Sequence, residues 1–227
     1  MSLHDVISPP VPTLVATIRS RVLAVPAWVL MIEIFIGAGW LRASAEKVLS
    51  ADWWRGDTLA AFLDDTGDAR VPWFDPIVEL VVAPNLAVVA LGVAALQLVV
   101  GVGLLSGRAR VPTLLAGMAM NVTFVLAGAV TPSAFYLLAQ LAVLLWVIEA
   151  RRSAWTDALS TSLALGGLAL AGSAVLSIQT LHPEHVIDDP SMMLVFLGLL
   201  AAFGAERARW SQPTATRGAP PSRQRVG

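Results

Sequence analysis

Residues 22–47 read VLAVPAWVLMIEIFIGAGWLRASAEK, and this stretch decides the fold class because it is apolar over a length that crosses a bilayer. It also carries one carboxylate, Glu33, near the middle of its apolar part. A charge at that depth costs at least about 2.5–3.5 kcal/mol, so such a residue normally faces a protein interior and has a partner. The stretch therefore predicts a membrane helix that packs against other helices.

The composition of the whole chain agrees with this prediction. Of its 227 residues, 56% are hydrophobic and only 14% are charged, and the mean hydropathy is +0.72. These values indicate an all-α, polytopic membrane protein whose first partner is the lipid bilayer. The net charge of -1 argues against a nucleic-acid partner, and the absence of cysteine removes thiol chemistry, disulfides and iron–sulfur ligation by this chain.

Apolar runs of membrane-spanning length predict six helices, at residues 22–41, 86–105, 111–130, 134–148, 159–178 and 191–205. The last run is short, so an interfacial or re-entrant segment is the alternative there. The first four helices are expected to form a four-helix transmembrane bundle at 22–150, and the last two an additional C-terminal helical pair at 151–210. Residues 1–21 are expected to be a cytoplasmic segment without a cleaved signal, and 211–227 a disordered cytoplasmic tail.

The distribution of basic residues predicts the orientation. Most of the fifteen lie on one side of the six spans, and the other side carries Arg42, Lys47, Arg55 and Arg70. The positive-inside rule then places both termini in the cytoplasm. Arg42 and Glu46 are four residues apart and are expected to form an ion pair at a helix end.

The segment at about 43–83 is too rich in apolar and aromatic residues to be a simple linker. Residues 58–63 after Asp57 predict a short amphipathic helix with Asp57 as its N-cap. Trp53, Trp54 and Trp73 flank this helix, as expected for aromatic anchors at the headgroup level. We interpret the segment as an extracytoplasmic cap on the membrane surface.

Four strong hydrogen-bonding side chains fall near the centres of the first four predicted spans: Glu33, Gln97, Asn121 and Gln140. Each could bond to a neighbouring helix, which leaves a structural network and a binding site as equal alternatives. Glu33 would be either ionised and held by amide donors, or protonated because burial raises the pKa of a carboxyl group.

A stripe along the first helix adds a second signal. From Glu33, the helical period places Gly37, Trp40, Ser44 and Lys47 near one line that runs to the outer surface. This stripe would suit a flat ring with polar carbonyl groups. It offers the carboxylate of Glu33, the space left by the missing side chain of Gly37, the aromatic plane of Trp40 and the cation of Lys47. For Trp40 an aromatic-belt anchor is the alternative.

Other cofactors are not expected. Residues 182–189, HPEHVIDD, offer metal-ligating types, but Pro183 prevents a helix from aligning the two histidines, so a solvated acidic loop is expected. No histidine lies inside a predicted span, which argues against membrane haem with paired histidine ligands.

Several short motifs resemble the DoxX/DoxD family. These motifs are Gly37, Ala43 and Lys47 in the first helix, then WRGDTLAAFL at 54–63, Pro84-Asn85, and LQLVVGVGLLSGRAR at 96–110. The resemblance covers about residues 22–146. It implies a membrane subunit related to the small subunit of a thiosulfate:quinone oxidoreductase, in the cytoplasmic membrane of a prokaryote. Where the family usually has an acid in E-x-x-x-G-x-x-L, this chain has Gln97, which cannot relay a proton in the same way.

Two functions follow as hypotheses. The first is an integral membrane subunit associated with redox metabolism that binds a quinone-like molecule in the four-helix core. In this hypothesis Glu33 is the best candidate for chemistry, Gly37, Trp40, Gln97, Asn121 and Gln140 surround the ring, and Lys47 lies at the entrance. The second is a non-catalytic scaffold or accessory subunit of a larger membrane complex, held by another protein subunit. A transporter is a distant third, because the sequence shows no inverted repeat.

Overall fold

The computed structural model describes residues 23–151, 153–178 and 188–210. These residues form helices and turns with no strand, which confirms the prediction of an all-α protein. The α-helices of five or more residues are α1 (Ala27–Val48), α2 (Ala51–Arg55), α3 (Asp57–Asp65), α4 (Leu86–Ser106), α5 (Arg110–Leu126), α6 (Val130–Ala150), α7 (Ala154–Val175) and α8 (Pro190–Trp210). The predicted segments 1–21 and 211–227, and both histidines of the loop before α8, lie outside the described residues.

Five helical runs in the described part of the chain are long and apolar enough to cross a membrane. They are α1, α6, α7, α8 and a run from Pro72 to Ser106 that ends in α4. α5 is a shorter apolar helix of 17 residues. Each of the six predicted spans coincides with one of these helices, and the chain has the architecture of a multi-pass membrane protein.

The first span begins and ends later than the sequence predicts. Pro26 precedes α1, and a proline disfavours helical geometry in the residue before it, so the helix begins at Ala27. At the other end the Arg42–Glu46 ion pair, 2.9 Å long, supports the helix as far as Val48. Glu33 is therefore the seventh residue of α1, about 9 Å from its start at 1.5 Å per residue, and not at its middle.

Two other boundaries differ from the prediction. The turn between α5 and α6 lies at 127–129, where Gly128 has a φ of 97°, and Pro132 lies in the first turn of α6. α8 has 21 residues rather than the short segment predicted. Asp189 caps its start by accepting the backbone N–H groups of Ser191 and Met192, and its other end extends to Trp210.

Four helices form the core of the molecule. α1 packs along α4, α4 along α5, α5 along α6, and α6 returns to α1. α7 and α8 pack mainly on each other, and α8 attaches this pair to α6. The crossing of α7 and α8 is close: a Cβ atom on Gly167 would lie 2.4 Å from the carbonyl oxygen of Gly198. The small residues of α7 therefore permit direct backbone contact.

The outer cap, which we define as α2, α3 and the turns up to Val71, covers one end of the core. The indole Nε1 of Trp53 donates to the carbonyl of Ala90 in α4 at 2.9 Å, and the N–H of Val71 donates to the carbonyl of Leu126 in α5 at 3.1 Å. The predicted helix after Asp57 is present, but Gly56, with a φ of 86°, precedes it and Asp57 is its first residue.

Candidate functional site

A cavity of about 340 Å³ lies between the outer cap and the ends of the core helices nearest to it. Its walls combine side chains of α1, α4, α5 and α6 with side chains of α2 and α3. The lining residues are Trp40, Lys47, Trp53, Thr58, Leu59, Phe62, Val93, Gln97, Asn121, Phe124, Ala129, Pro132, Ser133 and Tyr136. The cavity is the place in the described structure where the polar residues of the core meet the aromatic residues of the cap.

Aromatic rings form much of this wall. The ring of Trp40 lies 5.6 Å from that of Tyr136 and 6.4 Å from that of Phe124, measured between centroids. Trp40 is 3% exposed, so it is an interior residue and not an aromatic-belt anchor. On the cap side, the Nζ atom of Lys47 lies 4.7 Å from the centre of the Trp53 ring, which is a cation–π contact. Such a wall suits a flat apolar molecule.

Amide groups supply the polar part of the site. The Nδ2 group of Asn121 donates to Oε1 of Gln140 at 2.9 Å, so α5 and α6 are linked as the sequence predicts. Gln97 is 2% exposed and lines the cavity from α4. Within the described residues, its Oε1 atom and the Nε1 group of Trp40 have no hydrogen-bond partner. Buried polar groups are normally paired, and both of these unpaired atoms belong to residues that line the cavity.

The structure brings four of the seven predicted site residues to the cavity wall: Trp40, Lys47, Gln97 and Asn121. Gln140 lies behind Asn121 and holds it through their hydrogen bond. Gly37 has a different neighbour, because a Cβ atom there would lie 2.9 Å from Cγ of Leu105 and 3.2 Å from the carbonyl oxygen of Gly101. The predicted notch at Gly37 is thus filled by α4.

Glu33 lies in a separate polar site near the other end of α1. Its carboxylate forms a two-pronged ion pair with the guanidinium of Arg110, in which Nε donates to Oε1 and Nη2 donates to Oε2 at 3.2 Å. The carboxylate is fully buried, and the side chain of Arg110 is 11% exposed. The guanidinium also lies 5.6 Å from the centre of the Trp146 ring. The pair joins α1 to the first residue of α5.

Several residues of these sites are not identified from the sequence, among them Arg110 and Tyr136. The sequence identifies Arg110 only as a basic residue and as the end of the motif at 96–110, although its side chain is long enough to reach one turn into the membrane. Tyr136 is the single tyrosine of the chain and lies four residues before Gln140, so it shares a helix face with a predicted site residue. That spacing is the sequence signal that points to Tyr136 as a site residue.

The fold and the cavity define a class: a multi-pass, all-α membrane protein with an aromatic and amide-lined cavity beneath a surface cap. Comparison of the chain with protein-family models, with curated proteins and with solved structures finds no match. The resemblance to the DoxX/DoxD family therefore stays a prediction.

The anchorage of the cap over the cavity gives a first testable prediction. We expect Trp53→Phe to lower the free energy of unfolding by about 1 kcal/mol, because it removes the buried hydrogen bond to Ala90. Trp54→Phe is the matched control, since the Trp54 indole also donates to a carbonyl, that of Val48, but is 39% exposed and water can replace it. Thermal unfolding and amide exchange of residues 51–65 measure the effect. Equal behaviour of the two variants would contradict this account.

Proposed function

We propose that this protein is an integral membrane subunit associated with redox metabolism and that it binds a quinone-like molecule in the cavity under the outer cap. The observation that carries the proposal is that one cavity combines aromatic walls with Gln97 and Trp40, each of which has a buried polar atom without a partner among the described residues. A quinone is a flat ring whose carbonyl oxygens can accept from the indole N–H of Trp40, and the hydroxyl groups of its reduced form can donate to the amide oxygen of Gln97.

The residues present fit a quinone ring by chemical type. Trp40, Phe124 and Tyr136 offer apolar ring faces on the core side, and Trp53 does so on the cap side. Donors to ring carbonyls are the Trp40 indole, the Gln97 amide and the Lys47 ammonium. The quinone would supply the two-electron chemistry, and these side chains would bind and orient its ring.

Glu33 has a different role in this proposal from the one that its sequence position suggests. Its carboxylate is held by Arg110 and does not line the cavity. We therefore propose ligand binding by Gln97 and Lys47, and we assign Glu33 to the ion pair that positions α1 against α5. The electron donor and any catalytic centre would belong to a partner subunit.

A binding measurement with a matched pair of variants tests the proposal. Addition of a short-tailed ubiquinone or of menadione to the protein in lipid nanodiscs is expected to quench tryptophan fluorescence saturably, since Trp40 and Trp53 line the cavity. We expect Gln97→Leu to raise the dissociation constant about tenfold, the effect of losing one hydrogen bond in a buried site.

Asn85→Leu is the control for this measurement. It also replaces an amide by leucine, but the Asn85 side chain is exposed, bonds to the carbonyl of Val81 and does not line the cavity. An unchanged quinone affinity in Gln97→Leu, or quenching that does not saturate in the parent protein, would contradict the proposal.

A second candidate function is a non-catalytic accessory subunit, and the α7–α8 pair favours it. This pair is joined to the core mainly through α8, and it presents Phe196, Leu199 and Phe203 outward. A partner membrane subunit could pack there. Purification as a stoichiometric complex that is lost when the residues after Trp155 are deleted, with no quinone binding by the core, would favour this function over the first.

A further inference from the structure

We infer that the chain holds an anionic phospholipid headgroup in a basic pocket at the membrane face opposite the outer cap. This pocket has a volume of about 440 Å³ and lies between the α4–α5 turn and the α6–α7 junction. Its lining residues are Gly107, Arg108, Ala109, Arg110, Val111, Pro112, Val147, Arg151 and Trp155. The inference does not rest on the proposed function, because the pocket lies apart from the cavity.

The charge of the pocket is not balanced by its neighbours. Arg110 is neutralised by Glu33, but Arg108 and Arg151 form no ion pair within the described residues. No acidic residue is among those that line the pocket. Two exposed guanidinium groups therefore share one pocket, and guanidinium groups bind phosphate oxygens in a two-pronged geometry.

The backbone adds to this positive potential. α5 begins at Arg110 without a side-chain cap, and its first three residues line the pocket, so the positive end of its helix dipole lies there. α7, in contrast, is capped by Ser153 and Thr156, and its Trp155 is 47% exposed at the pocket rim. An exposed tryptophan beside arginines at the end of membrane helices is typical of the headgroup level.

The position of the pocket selects a lipid as the source of the phosphate. It lies at the ends of α4, α5, α6 and α7, and Val111, Pro112 and Val147 supply its apolar lining. A headgroup can place its phosphate against the arginines while its acyl chains stay in the bilayer. Basic pockets between membrane helices bind anionic headgroups in this way.

Lipid retention measured by native mass spectrometry tests the inference. The protein is purified from mixed vesicles of phosphatidylglycerol and phosphatidylcholine, and we expect bound phosphatidylglycerol to predominate. In the Arg108→Gln/Arg151→Gln double variant, retention of phosphatidylglycerol is expected to fall about tenfold or more, since each basic residue near a membrane surface contributes on the order of 1 kcal/mol to anionic lipid binding.

Arg207→Gln/Arg209→Gln is the matched control. It also removes two positive charges, but Arg207 is paired with Glu149 and Arg209 with Glu206. We expect it to leave lipid retention within about twofold of the parent protein. Equal retention of the two lipids by the parent protein, or equal losses in the two double variants, would overturn the inference. Thermal stabilisation by inorganic phosphate that equals the effect of phosphatidylglycerol, and that is lost in Arg108→Gln/Arg151→Gln, would also overturn it by identifying free phosphate as the ligand.

Discussion

Replacement of Arg110 by leucine is expected to lower the free energy of unfolding by about 3–5 kcal/mol. The substitution removes the guanidinium that neutralises Glu33 and leaves a fully buried carboxylate without this partner. Removal of one partner of a buried ion pair is among the most destabilising changes that a protein interior can undergo. Equilibrium unfolding in mixed micelles, followed by tryptophan fluorescence, measures the loss.

The double variant Glu33→Gln/Arg110→Leu separates the effect of charge from the effect of packing. We expect it to recover most of the loss, because both charges are then removed and replacing a buried pair by neutral residues is often close to neutral. Arg42→Leu is the control, since its pair with Glu46 is exposed on both sides and contributes less than about 1 kcal/mol. A loss in Arg110→Leu no larger than that in Arg42→Leu would refute the structural role of the Glu33–Arg110 pair.

Substitution of Gly167 by valine is expected to destabilise the protein by about 3 kcal/mol, the upper end of the range for overpacked cores. A Cβ atom at this position would lie 2.4 Å from the carbonyl oxygen of Gly198 and 3.1 Å from the backbone nitrogen of Ala202. Backbone atoms cannot move aside as the tip of a side chain can, so α7 and α8 must separate.

Gly166→Val is the matched control for that substitution. It places the same side chain on the neighbouring residue of α7, where a Cβ atom meets no atom within 4 Å. We expect Gly166→Val to unfold within about 1 kcal/mol of the parent protein, because it carries only the small change in helix propensity. Unfolding in mixed micelles compares the two variants. If both variants lose the same stability, the close crossing of α7 and α8 is not the cause of the loss in Gly167→Val.

Periodicity and composition were sufficient to predict the helices. The apolar runs locate all six long helices because a segment of about 20 apolar residues has few alternatives to a membrane helix. The Arg42–Glu46 pair and the short helix after Asp57 were predicted as well, since both depend on contacts within one or two helical turns. The end of each helix was less predictable, as Pro26 and Gly128 show.

The sequence predicts the residues of the site less completely than it predicts the helices. Gln97 and Asn121 lie near the middle of their helices, and the sequence identifies them because strong polar side chains are rare there. For Gly37 the sequence predicts a ligand contact, but the structure places α4 against it. The sequence of α1 alone does not show which of its faces meets α4. Lys47 and Trp40 share a cavity with Tyr136 and Trp53 only once the cap has folded back over the core.

The sequence by itself determined that this chain is an all-α membrane protein, because hydrophobic length and polar spacing are local properties of the chain. Only the tertiary structure decided which polar groups meet. Glu33 pairs with Arg110, 77 residues away, and Asn121 of α5 bonds to Gln140 of α6, whereas the amide oxygen of Gln97 has no hydrogen-bond partner among the described residues. These outcomes depend on how each helix is rotated about its axis and on where the helices cross. Both are set by close packing between helices, and the sequence of a single segment does not contain that information.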